Sequence, residues 1–194
     1  MKYSALFFIP NLICYLRFII LIVAIFFEKS TFILFYSISA ILDALDGYSA
    51  RKLNQCTLLG SILDMAIDRI STVIILIKIG NNIPTLTPYL SVCISIDLLS
   101  HFLHFSSSLL QSIHHKSCKS KILEIYYRRR ILFLICFFVE MFYICCYCTS
   151  FISRMHFFCI FFGIFWILKT FLHFIQMINA LKELAIISKQ KKKK

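Results

Sequence analysis

The chain has 194 residues, of which 60% are hydrophobic, 16% aromatic and only 15% charged, with a mean hydropathy of +0.83. A soluble domain carries about 25% charged residues and cannot hide this much apolar surface, so an ordinary soluble domain is excluded and lipid is the natural solvent. The formal charge of +12 does not point to nucleic acid, because the basic residues sit in short segments between apolar runs, which suits cytoplasmic membrane faces and anionic headgroups.

About 20 apolar residues cross a bilayer. On that rule the chain offers six spans, roughly 9–27, 31–50, 57–79, 86–112, 129–149 and 155–181, and so predicts an all-α integral membrane protein. The first run lacks a basic leader and a small-residue cleavage site, and reads as a retained span rather than a signal peptide. Breaks fall at Glu28-Lys29-Ser30, at Asn81 to Pro84, in the polar His114–Ser120 stretch and near Ser153-Arg154. The expected organisation is one six-helix domain over 1–188 and a basic tail over 189–194.

Fifteen Lys and Arg fall on one side of this arrangement and three (Lys29, Lys78, Arg154) on the other, with Arg17, Arg69 and Lys169 inside spans. That bias places both termini and the loop between spans 2 and 3 in the cytoplasm. Most of the nine cysteines, Cys136, Cys145, Cys146, Cys148 and Cys159 among them, lie inside apolar runs and read as small buried hydrophobes. Cys145-x2-Cys148 has no second pair at zinc-site spacing.

Every aspartate (Asp43, Asp46, Asp64, Asp68, Asp97) falls inside a span. One at mid-bilayer costs on the order of 2.5–3.5 kcal/mol, so such residues mark function. Four of them form Asp43-x2-Asp46-Gly47-x2-Ala50-Arg51-x8-Gly60-x3-Asp64-x3-Asp68. At about 100° per residue, Asp43, Asp46, Gly47 and Ala50 share one face of span 2, and Gly60, Asp64 and Asp68 form a stripe on span 3. A tight turn between the spans lets the faces converge. Carboxylates that close repel unless a hard divalent cation, Mg²⁺ or Mn²⁺, sits among them. Gly47 and Gly60 either leave room for a ligand at the backbone or serve close helix packing.

This spacing resembles the signature of the CDP-alcohol phosphotransferase family at every fixed position. The flanking segments Phe8 to Ile13, Leu53-Asn54-Gln55, Leu63 to Arg69, Asp97 to His104 and Ile125-Tyr126-Tyr127 are similar to its eukaryotic, inositol-using branch. Cys14 departs from that pattern where glycine is expected, as do Arg128, Arg129 and Ile131. The resemblance implies the family's six-helix fold, a homodimer, and transfer of the phosphatidyl group of CDP-diacylglycerol to myo-inositol, with CMP released. It further implies that Asp43, Asp46 and Asp64 bind metal and the diphosphate, that Asp68 is metal-proximal and the proton acceptor, and that Gly47, Arg51 and Thr57 contact the CDP-lipid. The chemistry is consistent. A hydroxyl nucleophile needs a base, a metal-bridged diphosphate leaves more easily, Thr57 precedes a helix whose amides can meet a phosphate, and Arg51 offers a bidentate contact or a plain anchor.

Outside the motif, Asp97, His101 and His104 at i, i+4 and i+7 make a polar face on span 4, for a polyol or for an interhelical network. Arg128 to Arg130 suit an anionic-lipid anchor, with Arg130 also a candidate for facing substrate. His114 and His115 read as solvated. The terminal lysines suit an endoplasmic-reticulum retrieval signal or a membrane contact. Two other functions stay open: the same chemistry with another acceptor, such as glycerol phosphate or serine, and a divalent-cation transporter.

Overall fold

In a computed structural model, which describes residues 4–111, 126 and 128–191, the chain is helical, with no strand among the described residues. The long helices are α1 (Ile9–Ile25), α2 (Lys29–Lys52), α3 (Leu58–Asn82), α4 (Thr87–Gln111), α5 (Arg129–Cys148) and α6 (Met155–Lys191). Their bounds lie close to the six expected spans. The exception is α6, which continues to Lys191 through the boundary expected at 188. The His114–Ser120 stretch, with His114 and His115, lies outside the described residues, as do Ile125, Tyr127 and the last three lysines.

Helices α2, α4, α5 and α6 are both long and apolar enough to cross a membrane. Helix α1 is apolar but has 17 residues, about 25 Å of helix and the short end of the spanning range. Helix α3 has the length, 25 residues, but carries Asp64, Asp68, Arg69 and Lys78. Ile19, Phe157 and Ile160 are among many large apolar side chains left exposed, as expected for helices that face lipid.

The chain forms two compact units, Met1–Lys78 and Ile79–Lys194. In the first, α1 and α2 pack through Leu21, Ala24, Phe32 and Tyr36, all buried. Local sequence fixes each helix end. Pro10 stands in the first turn of α1, where its missing N–H costs nothing, and the Gln55 side chain accepts the Ile9 N–H at 3.1 Å. Helix α2 stops in a Schellman turn: Asn54 takes φ 55°, and the Gln55 and Asn54 amides donate to the carbonyls of Ala50 and Arg51. Asn tolerates that left-handed conformation better than most residues. Thr57 then caps α3, its Oγ1 accepting the Gly60 N–H at 3.0 Å. Lys78, counted on the outer side from sequence, is buried; it donates to the Phe27 carbonyl at 2.9 Å and pairs with Glu28, tying down the α1–α2 turn.

In the second unit α6 packs on both α4 and α5. The α5–α6 seam is aromatic, with Phe138 against Phe165 at 4.4 Å and Phe142 against Trp166 at 5.5 Å between ring centroids. Gly163 faces Phe142, where an added Cβ would make an ordinary contact at 3.4 Å. Cys145 and Cys148 are buried free thiols, as their apolar setting implies. The α4–α6 seam is polar.

Candidate active site

All four motif aspartates gather around one cation, Arg17 of α1. Its Nη2 lies 2.6 Å from Asp43 Oδ1 and 2.8 Å from Asp68 Oδ1; its Nη1 lies 2.8 Å from Asp46 Oδ2 and 3.3 Å from Asp64 Oδ1. Contacts of this length are charge-assisted hydrogen bonds, and the fork of a guanidinium is suited to several carboxylates at once. The convergence of the α2 and α3 faces is therefore held from a third helix.

Exposure divides the four. Arg17 is 2% exposed and Asp46 5%, whereas Asp43, Asp64 and Asp68 keep 43%, 50% and 35% of their side chains accessible. Asp46 also accepts the Cys14 thiol at 3.3 Å, so the residue that stands where glycine was expected touches the motif directly. Asp43, Asp64 and Asp68 each offer a carboxylate oxygen within 4.8 Å of the others. Three hard oxygen donors at that spacing, open on one side, fit Mg²⁺ or Mn²⁺, which keep several waters and take few protein carboxylates.

Beside the carboxylates a cavity of about 160 Å³ is lined by Asn11, Cys14, Asp46, Gly47, Arg51 and Thr57, among others. The Arg51 guanidinium folds back over Gly47, whose missing Cβ would stand 3.3 Å from Arg51 Nη1. Gly47 thus makes room for a cationic side chain. Gly60 lines the same cavity and also lies against α1: a Cβ there would come within 2.9 Å of Asn11 Oδ1. Asn11 is fully buried, its Nδ2 donates to the Ala5 carbonyl at 2.6 Å, and its Oδ1 has no partner among the described residues.

The motif is thus intact in sequence and assembled in space, and the family model for CDP-alcohol phosphatidyltransferase matches residues 7–181. The chain belongs to that family. Its relatives include proteins named CDP-diacylglycerol–inositol 3-phosphatidyltransferase. The Candida albicans protein is 40% identical over 148 residues, covering 72% of this chain and 64% of that protein. The human protein is 39% identical over 152 residues, 74% and 71% of the two chains, and the Saccharomyces cerevisiae protein is 40% identical over 146 residues, 71% and 66%. The chain thus spans about two thirds of the length of the curated relatives it matches. No solved structure matches it.

In this family member the second polar group expected from sequence belongs to the other unit. Asp97 Oδ1 lies 3.5 Å from His101 Nδ1 and 3.4 Å from Nδ1 of His173 on α6, and the two imidazoles meet edge to face at 4.6 Å. His101 Nδ1 is also 2.9 Å from the Asp97 carbonyl. His104 is half-buried farther along α4, beside fully buried Ser107. Arg130 is exposed in the first turn of α5, and no hydrogen bond or ion pair joins it to Asp97, His101 or His104 among the described residues. Sequence reasoning assigned no role to Arg17, nor to the buried α6 stripe of Lys169, His173 and Gln176. The signal was present: a charge inside a span, the same argument that singled out the aspartates.

Proposed function

We propose that this protein transfers the phosphatidyl group of CDP-diacylglycerol to myo-inositol, giving phosphatidylinositol and CMP. The observation that carries the reading is the convergence of Asp43, Asp64 and Asp68, three accessible carboxylates, in a chain whose relatives carry that activity in their names.

Asp43, Asp46 and Asp64 hold the site for divalent metal, Mg²⁺ or Mn²⁺, which when bound neutralises charge on the diphosphate and eases departure of CMP. Asp68 accepts the proton of the attacking inositol hydroxyl as the new bond forms to the β-phosphorus and the bond to the bridging oxygen breaks. Arg51, lying over Gly47 at the cavity, contacts a phosphate oxygen of the CDP-lipid. Thr57 stands at the start of α3, where the free amides of the first turn complement an anion. Asp97, His101 and His104 supply hydrogen-bonding groups of the kind a polyol needs, with His173 orienting Asp97. The protein works as a homodimer in the endoplasmic-reticulum membrane, with this site and both termini facing the cytoplasm, a reading that the bias of Lys and Arg supports.

The test is an acceptor panel: purified protein with labelled CDP-diacylglycerol, Mg²⁺ and, separately, inositol, serine, glycerol phosphate and choline. Labelled lipid forms with inositol. Product with serine or glycerol phosphate but not inositol would leave the phosphatidyl transfer standing and replace the acceptor. Cation flux into liposomes without any CMP chemistry would replace the enzyme with a transporter.

A further inference from the structure

Four carboxylates face Arg17, and Arg69 acts on Asp68 as a second cation, so the group still carries acid in excess. With all four ionised, Arg17 compensates one of four negative charges, yet it touches every one of them and is itself withdrawn from solvent. A buried arginine that needed only a counter-ion would be satisfied by Asp46, the one aspartate as buried as itself. Arg17 instead spreads its two terminal nitrogens over α2 and α3, while its Nε has no hydrogen-bond partner among the described residues. The side chain is placed for its fork.

We propose that Arg17 is a positioning residue and a built-in counter-cation of the metal site: it holds the four carboxylates in register from the buried side and weakens their grip on divalent cations. This rests on the reading of the four motif aspartates as the divalent-metal site, with Asp68 beside the metal as the proton acceptor. Arg17 is 2% exposed while Asp43, Asp64 and Asp68 keep 35–50% of their side chains accessible, so a second cation would reach these carboxylates from solvent. A fixed positive charge about 3 Å from the ligand oxygens must oppose a second cation on the same groups. It also offsets part of the carboxylate repulsion, so the aspartates keep their geometry whatever the metal concentration. A divalent cation would then bind less tightly, on a site whose carboxylates are already in place.

The experiment compares the parent with Arg17→Gln and Arg17→Lys in detergent, by Mn²⁺ binding (electron paramagnetic resonance) and by thermal unfolding in chelator and in Mn²⁺. Arg17→Gln binds Mn²⁺ about tenfold or more tightly, since a neighbouring like charge has gone. It unfolds at lower temperature than the parent in chelator and recovers most of the difference in Mn²⁺. Its maximal rate of CMP release falls even though half-saturation needs less metal, a split that loss of packing alone does not produce. Arg17→Lys keeps the charge but not the fork; its Mn²⁺ affinity stays close to the parent's while its rate falls. If the Gln variant folds only with metal present, the Lys variant carries the test: Mn²⁺ affinity raised about tenfold above the parent's by Lys, which keeps the charge, overturns the charge argument. Arg17→Gln binding Mn²⁺ no more tightly than the parent overturns the proposal outright. A parent that binds no Mn²⁺ overturns the metal reading beneath it, whatever Arg17 does.

Discussion

In the first unit four carboxylates share one guanidinium, and three of them keep 35–50% of their side chains accessible. In the second, one carboxylate at 12% exposure is shared by two imidazoles and ties α4 to α6. The first group has acid in excess and accessible carboxylates, as the proposed metal site requires. In the second, Asp97 faces two imidazoles, which carry charge only when protonated. Isolated charges are costly in a membrane protein, so the unbalanced, open group is the one whose cost must be recovered by chemistry.

The comparison can be broken by substitution. Asp68→Asn has the largest expected effect, a fall in CMP release of about 10²–10⁴-fold, the span attributed to a positioned base, with CDP-lipid binding largely kept. Turnover equal to the parent's would remove Asp68 from the base role. Asp43→Asn comes next: loss of even an outer-shell partner costs a metal site about 10–100-fold in affinity, and a direct ligand should cost at least as much. The check is Mg²⁺-dependent CDP-lipid binding. Gly60→Ala pushes a Cβ to 2.9 Å from Asn11 Oδ1 and should destabilise by about 1–3 kcal/mol, read as a lower unfolding temperature. Asp97→Asn sharpens the contrast most finely. An acceptor-binding group predicts a KM for inositol raised several-fold with CDP-lipid binding unchanged; lower thermal stability at constant KM makes the group a helix tie.

The aspartates were legible because their spacing of three and four on helices, read with their position inside apolar runs, dictates shared faces. The helix bounds followed from the same apolar runs and from Asn54, Thr57 and Pro10, whose backbone preferences end or begin helices. Arg17 was not paired with its partners because nothing in local sequence brings a residue of α1 to the α2 and α3 faces; only the tertiary packing does. That Gly60 lies against Asn11 of α1 was not legible, because nothing in local sequence brings the two together. His173 belongs to a long-range pairing, invisible from the regular spacing of Asp97, His101 and His104 on one helix.

On the proposed function, divalent metal at the first unit's aspartates meets the diphosphate of the lipid. Pulsed electron paramagnetic resonance of Mn²⁺ bound to the parent protein with CDP-diacylglycerol tests it most directly. The account predicts phosphorus hyperfine coupling on the Mn²⁺ signal, lost in the Asp43→Asn, Asp64→Asn double variant. Bound Mn²⁺ without that coupling, or coupling that persists in the double variant, would contradict it.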